Sequence, residues 1–192
     1  MDRVTVRRLF LAAVLLAVTV PAFQPLADPD FFWHLKVGEW ILGHHAIPLH
    51  DLFTDTVANH PFVAHEWGSE VVMALITGIF GFPGISLYFG VITWVAFLGL
   101  LVTMQRVTYP IAGVTLVLGV VAGNPIWGPR TQMITFALVV LLLLLLRKYR
   151  NTGARRWLYP IPPIFVVWTN LHAGFTIGLV FLFITLVGEV LY

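Results

Sequence analysis

Residues 133–156 read MITFALVVLLLLLLRKYRNTGARR, an apolar run from Met133 to Leu146 that ends in Arg147, Lys148, Arg150, Arg155 and Arg156. The run shows no alternation of period two, so it is not a barrel strand, and it approaches the roughly 20 residues that carry a helix across about 30 Å of hydrocarbon. The bases behind it mark a cytoplasmic segment under the positive-inside rule. Outward from this stretch, apolar runs recur at Leu9–Ala27, Val71–Phe82, Ile85–Met104, Ile111–Ala122, Trp157–Trp168 and Phe175–Tyr192, separated by Gly and Pro breaks. The 192 residues are 59% hydrophobic and 10% charged, and the mean hydropathy is +0.90, far above that of a water-soluble domain. An all-α, polytopic integral membrane protein is implied, a single membrane domain over 1–192 with about six or seven transmembrane or re-entrant helices. Residues 1–27 form its first transmembrane helix, 28–70 a large external loop with an interfacial helix, and 71–192 a helical bundle.

Composition also excludes chemistry. With no cysteine there is no disulfide framework, thiolate metal site or cysteine nucleophile. The net charge of +2 resides in short basic clusters between apolar runs, with no soluble basic domain to hold a nucleic acid.

Arg3, Arg7 and Arg8 precede the first run, which places the N-terminus in the cytoplasm and Asp28 outside. The same start also fits a cleaved signal peptide, with Pro-Leu-Ala at 25–27 as a cleavage region; the further spans downstream favour retention. Between Asp28 and Glu70 lie seven of the nine acids and six of the seven histidines, but only one base, Lys36, as expected of an external loop. Phe31–Leu42 reads as a short amphipathic helix at headgroup level, with Trp33, Val37, Trp40 and Ile41 on one side and Gly43 ending it. His44–Pro61, with Pro48, Asp51, Asp55 and Asn59, has turn chemistry. Three runs separate this loop from the Asn124–Gln132 turn, yet an even number must cross if that turn is outside and Arg147–Arg156 inside. Val71–Phe82, short and broken by Gly78, Gly81 and Pro83, is the expected exception, and Ile111–Ala122 the other candidate. This solution brings Asp28, Asp30, His65, Glu66, Asn124, Arg130, Gln132, Asn170 and His172 to one external face.

Each polar group has two readings. Asp28-Pro29-Asp30, with His34 one helical turn later, offers oxygen and imidazole ligands for Mg²⁺, Mn²⁺ or Zn²⁺, or else caps the helix that follows. His65-Glu66, with Glu70 a turn beyond, resembles half of a zinc-protease motif, but Ser69 stands where the second histidine is required. The pair then serves a metal or general-base site shared with Asp28 or Asp30, or marks a helix start. His44, His45, His50 and His60 read as solvated loop side chains. Arg130, beside Gln132, presents a fork of donors suited to a phosphate, or snorkels at a membrane boundary. Asn170 and His172 interrupt two apolar runs, where polar groups require partners or a wet cavity, or form an ordinary turn beside a belt tryptophan. Glu189, inside the last run, requires an interface or a partner for the same reason.

Taken in order, ADPDFFWHLKVGEWIL (27–42), IPLHDLFTDT (47–56), HEWGSE (65–70), GPRTQ (128–132) and WTNLHAGF (168–175) resemble the N-terminal membrane module of the GT-C superfamily, the polytopic glycosyltransferases that use polyprenyl-phosphate-linked sugars. The likeness is to a bacterial GT-C-like family and covers nearly the whole chain. It implies transfer of a sugar from a polyprenyl-phosphate donor to an external acceptor, in the bacterial inner membrane, with the site facing outside. An acidic metal-binding or catalytic residue in the first external loop falls on Asp30 or Asp28, with Glu66 and His65 nearby. Arg130, Gln132, Asn170 and His172 would contact donor phosphate or acceptor, and Asp28, Asp30 and His34 would hold a divalent Mg or Mn ion. The expected partners are the lipid bilayer, the polyprenyl-phosphate sugar and other membrane proteins. GT-C enzymes are usually longer, so the chain also reads as part of a longer protein or as a non-catalytic transmembrane subunit of a larger complex. A transporter fits less well, since no repeat is visible and the polar residues gather at one face.

Overall fold

The computed structural model describes residues 3–57, 60–124 and 126–191; Asn59 of the loop and Tyr192 at the end of the last run lie outside the described residues. These form seven α-helices, α1 (Arg3–Ala22), α2 (Asp30–His44), α3 (Trp67–Thr103), α4 (Tyr109–Ala122), α5 (Gln132–Thr152), α6 (Ile161–Leu171) and α7 (Phe175–Leu191). Single 3-10 turns stand at Asp55–Val57 and Arg155–Trp157. No strand occurs among the described residues; a lone antiparallel bridge between His50 and Pro61 ties the loop together. Three helices, α1 over Thr5–Ala22, α3 and α5, are long and apolar enough to cross a membrane, and α4 and α7 are shorter apolar helices.

The loop helix α2 differs from its expected outline. Gly43 does not end it: His45 does, in the left-handed conformation (φ 52°), with its N–H bonded to the Ile41 carbonyl. Its buried residues are Phe31, Leu35, Val37, Gly38 and Ile41. Trp33 instead turns outward, edge-on to Phe53 and Phe62 of the loop. Gly38 is where α2 crosses α3 backbone to backbone, since a Cβ there would lie 2.0 Å from the Glu70 carbonyl oxygen.

The two runs Val71–Phe82 and Ile85–Met104 are the two arms of one helix, α3, bent at Gly81 (φ 65°, ψ −168°). That φ favours glycine because a side chain there meets its own backbone. The bend brings Ile76 of the first arm against Gly84 of the second. Met73 of the first arm, Ile85 and Phe89 of the second, Phe31 of α2 and Met133 of α5 then share one buried core. The first arm therefore packs with α2 instead of prolonging the pass made by the second.

Directions follow from which residues meet. Phe10 of α1 meets Tyr109 and Gly113 of α4, and Val18 packs in one cluster with Leu116 and Val120, so α1 and α4 run parallel. Against them run the second arm of α3, where Gly90 receives Phe23 and the Trp94 indole donates to Thr19 at 3.1 Å, and α5, whose Phe136 and Val140 meet Phe97 and Gly99. Helix α6 returns along α5, with Ile161 beside Leu145 and Leu146 and Trp168 at Thr135. Helix α7 runs back from Trp168 at Gly178 to Arg150 at Glu189. Successive passes alternate, and one end of the bundle collects the segments before α2, α3 and α5 and the link from α6 to α7.

Candidate functional site

Two buried carboxylates anchor that end. Glu66 precedes α3 and Glu70 lies in its first turn, with side chains 8% and 3% exposed. Glu66 makes no side-chain capping bond at the helix start, so its carboxylate is not held there to cap α3. Carboxyl groups so far from water require hydrogen-bond partners, and histidines surround them. His34 Nδ1 bonds Glu70 Oε1 at 3.0 Å while its Nε2 is 3.9 Å from Glu66 Oε2; His65 Nε2 and His172 Nε2 are 3.4 and 3.6 Å from Glu66 Oε1. One oxygen of each carboxylate, Glu66 Oε2 and Glu70 Oε2, is buried without a hydrogen bond.

His34 and His172 are tuned in opposite directions. Burial alone would lower His34, but the Glu70 hydrogen bond and the charges of Glu66, Glu70 and Asp30 outweigh it and hold the imidazole above its ordinary range. The ring lies within reach of both carboxylates, hydrogen-bonded to Glu70 and 3.9 Å from Glu66. For His172, burial prevails over the attraction of Glu66, assisted by repulsion from His65 and His34, and the ring is held below its ordinary range. Its tautomer is fixed by geometry. The Gly174 N–H donates to Nδ1 at 2.8 Å, and the Thr135 hydroxyl, which accepts the Trp168 indole N–H at 2.9 Å, lies 2.8 Å from the same nitrogen. Nδ1 is thus an acceptor, and the neutral ring keeps its proton on Nε2, the atom facing Glu66. Gly174 admits no side chain, because a Cβ would lie 2.5 Å from Thr135 Oγ1 and 2.7 Å from His172 Nδ1.

Beside the carboxylates, Asp28, Asp30, His34, Glu66, Arg130 and Gln132 line a cavity of about 60 Å³, enough for a small polar group or a few waters. Arg130 Nε binds Asp28 Oδ2 at 2.9 Å, which leaves both of its Nη groups outside that contact. Asp28 also accepts the Asp30 N–H at 3.2 Å, so it both caps α2 and orients the arginine. Asp30 is exposed at the first residue of α2.

The site residues expected from the sequence divide accordingly. Asp28, Asp30, His34, Glu66, Arg130 and Gln132 share the cavity, and His65 and His172 reach it through Glu66. Asn170 does not line it. Its Oδ1 accepts the Trp67 indole N–H at 2.7 Å and its amide donates to the Val166 carbonyl, while the Ser69 hydroxyl donates to the Leu171 carbonyl at 2.5 Å. HEWGSE and WTNLHAG are thereby clamped together. Thr135, which orients His172 together with Trp168, is not singled out by the sequence, and Trp168 reads there only as a belt tryptophan, since a threonine and a tryptophan in apolar runs carry no sign of a distant partner.

The ligand set expected for a divalent ion is Asp28, Asp30 and His34. Asp28 is engaged by Arg130 and His34 by Glu70, and among the described residues no group of three His, Asp or Glu side chains is placed to hold a metal. No family model, curated protein or solved structure matches the chain.

Proposed function

We propose that the chain is a membrane glycosyltransferase-like protein that moves a sugar from a polyprenyl-phosphate donor to an acceptor on the outer side of the bacterial inner membrane. The observation that carries this reading is convergence: Asp30, Glu66 and Arg130, from three separate segments, line one cavity. Chemically, such a transfer needs a base for the acceptor hydroxyl and a cation for the departing phosphate. Asp30, whose carboxylate is exposed at the cavity, takes the acceptor proton as the acceptor oxygen attacks the anomeric carbon. The bond from that carbon to the phosphate oxygen breaks, and the oxygen leaves with the electron pair. Arg130 receives the phosphate through its Nη groups, its Nε being held by Asp28. Glu66, on the same cavity wall, accepts a hydrogen bond from a hydroxyl of the bound sugar, and His172 Nε2 stands 3.6 Å from its Oε1.

Orientation follows the same reading. The alternating passes, with the first arm of α3 packed on α2, favour six crossings in which Val71–Phe82 does not cross, the N-terminus lies in the cytoplasm and the site outside. The exposed residues Phe183, Leu186 and Val190 of α7 suit lipid or a neighbouring membrane helix. The competing function, a non-catalytic subunit of a membrane complex, would use that face and leave the cavity without a reaction.

The test is turnover by the purified chain in lipid nanodiscs, supplied with a panel of polyprenyl-phosphate sugars and Mg²⁺, Mn²⁺ or EDTA, and read as release of polyprenyl phosphate. Asp30→Asn and Arg130→Ala should each lower the rate by about a hundredfold or more. A folded wild type that turns over no donor would favour the subunit, and equal rates with EDTA and Mg²⁺ would remove the divalent ion from the proposal.

A further inference from the structure

The end of the bundle remote from the carboxylates holds a second, larger cavity of about 470 Å³. Three arginines stand around it: Arg106 after α3, and Arg147 and Arg150 in the last turns of α5, with Asn151, Thr185 of α7 and Leu146 completing the wall. Arg106 donates to Asn151 Oδ1 at 3.1 Å, and Arg147 donates to the Val102 carbonyl. Both contacts are with neutral groups, so they fix the guanidinium positions without neutralising the charge. Arg150 is paired with Glu189 at 2.9 Å, both side chains being largely exposed. Among the described residues at this cavity, the three guanidiniums thus meet the carboxylate of Glu189 alone.

Like charges gathered at one cavity repel, and the arrangement is relieved by an anion with several acceptor oxygens. The wall specifies more. The guanidiniums and the Asn151 amide suit a phosphate, the Thr185 hydroxyl being taken up by the Phe181 carbonyl, and Leu143 and Leu146 on the same wall provide apolar surface beside it. Basic pockets between apolar helices hold phospholipid headgroups in this way. We infer that this cavity binds a phosphate group, through Arg106 and Arg147 first and through Arg150 once it exchanges Glu189 for the ligand. Neither the sugar donor nor the carboxylate cavity is involved, so the inference stands or falls apart from the transferase reading.

The experiment is a titration of the delipidated full chain in neutral detergent with phosphatidylglycerol, phosphatidylcholine or sodium phosphate, with bound ligand counted by native mass spectrometry. Phosphatidylglycerol should bind in preference to phosphatidylcholine and lose affinity with added salt. Arg106→Gln should weaken it about tenfold, as expected for one charge-assisted contact. Glu189→Gln should tighten it, because Arg150 then has no competing carboxylate. That variant removes no arginine, and Arg106 is exposed, so neither test depends on disrupting the core. Sodium phosphate that displaces the lipid at millimolar concentration would assign the site to free phosphate esters instead of headgroups. Equal binding of both lipids without response to phosphate, or unchanged affinity in both variants, would overturn the inference.

Discussion

At the scale of single residues, the two inner histidines make opposite contributions to stability. His34 has a folded pKa above the unfolded value of about 6.5, so the stabilisation it contributes is fully present below that pH and is lost as pH rises through the raised folded value. His172 has a folded pKa below its unfolded one, so its contribution is present above pH about 6.5 and is lost as pH falls towards the depressed value. The two windows adjoin, so together the rings place a stability maximum near pH about 6.5. His34→Gln should leave a thermal midpoint that still falls as pH drops below about 6.5 but no longer falls above it, and His172→Gln one that still falls as pH rises above about 6.5 but no longer falls below it, relative to wild type in the same detergent. Parallel profiles for all three proteins would show that neither ring titrates as its surroundings imply.

At the scale of elements, the crossing of α2 over α3 depends on one glycine. Gly38→Ala places a methyl 2.0 Å from a backbone oxygen, and a backbone cannot rotate aside as a side chain can. The helices must separate, at a cost of about 1–3 kcal/mol by analogy with overpacked cores, and His34 must withdraw from Glu70. Gly43, in the same helix, has open space where its Cβ would stand, so Gly43→Ala should be neutral or stabilising by roughly 0.5–1 kcal/mol. Comparing the unfolding midpoints of the two variants separates helix propensity from crossing geometry; a similar loss in both would refute the close approach. The bend at Gly81 belongs to the same scale. Gly78, Gly81 and Pro83 mark a break in the sequence, but only the left-handed φ of Gly81 makes the first arm a partner of α2.

At the scale of the whole molecule, the two ends differ in chemistry. One gathers Asp28, Asp30, Glu66 and Glu70 with three histidines; the other gathers Arg106, Arg147 and Arg150. Since the native chain has no cysteine, single cysteines report side without background. Asp55→Cys, in the loop, should react with an impermeant maleimide added outside intact cells, and Asn151→Cys, at the basic end, only after permeabilisation. Labelling of both from the same side would refute the two-ended orientation.

Much of this was legible in the sequence because composition and period act locally. Apolar runs between Gly and Pro breaks specified helices, the absence of alternation excluded strands, and the skew of acids and histidines into 28–70 marked one segment as different. Asp28, Asp30, Glu66 and Arg130 could be selected because charge beside apolar surface requires a reason wherever the chain goes. Pairing was not legible. That Asp28 is held by Arg130, that His34 serves Glu70, that Asn170 clamps Trp67 and leaves the cavity, and that Thr135 and Trp168 fix the tautomer of His172 are relations between residues 33 to 103 positions apart. Such contacts are set by which helices pack together, and a hydrogen bond is decided within a few tenths of an ångström. Hydropathy and turn chemistry thus determined that this chain is a set of apolar helices with one polar loop, and the tertiary packing alone decided which of its polar atoms meet.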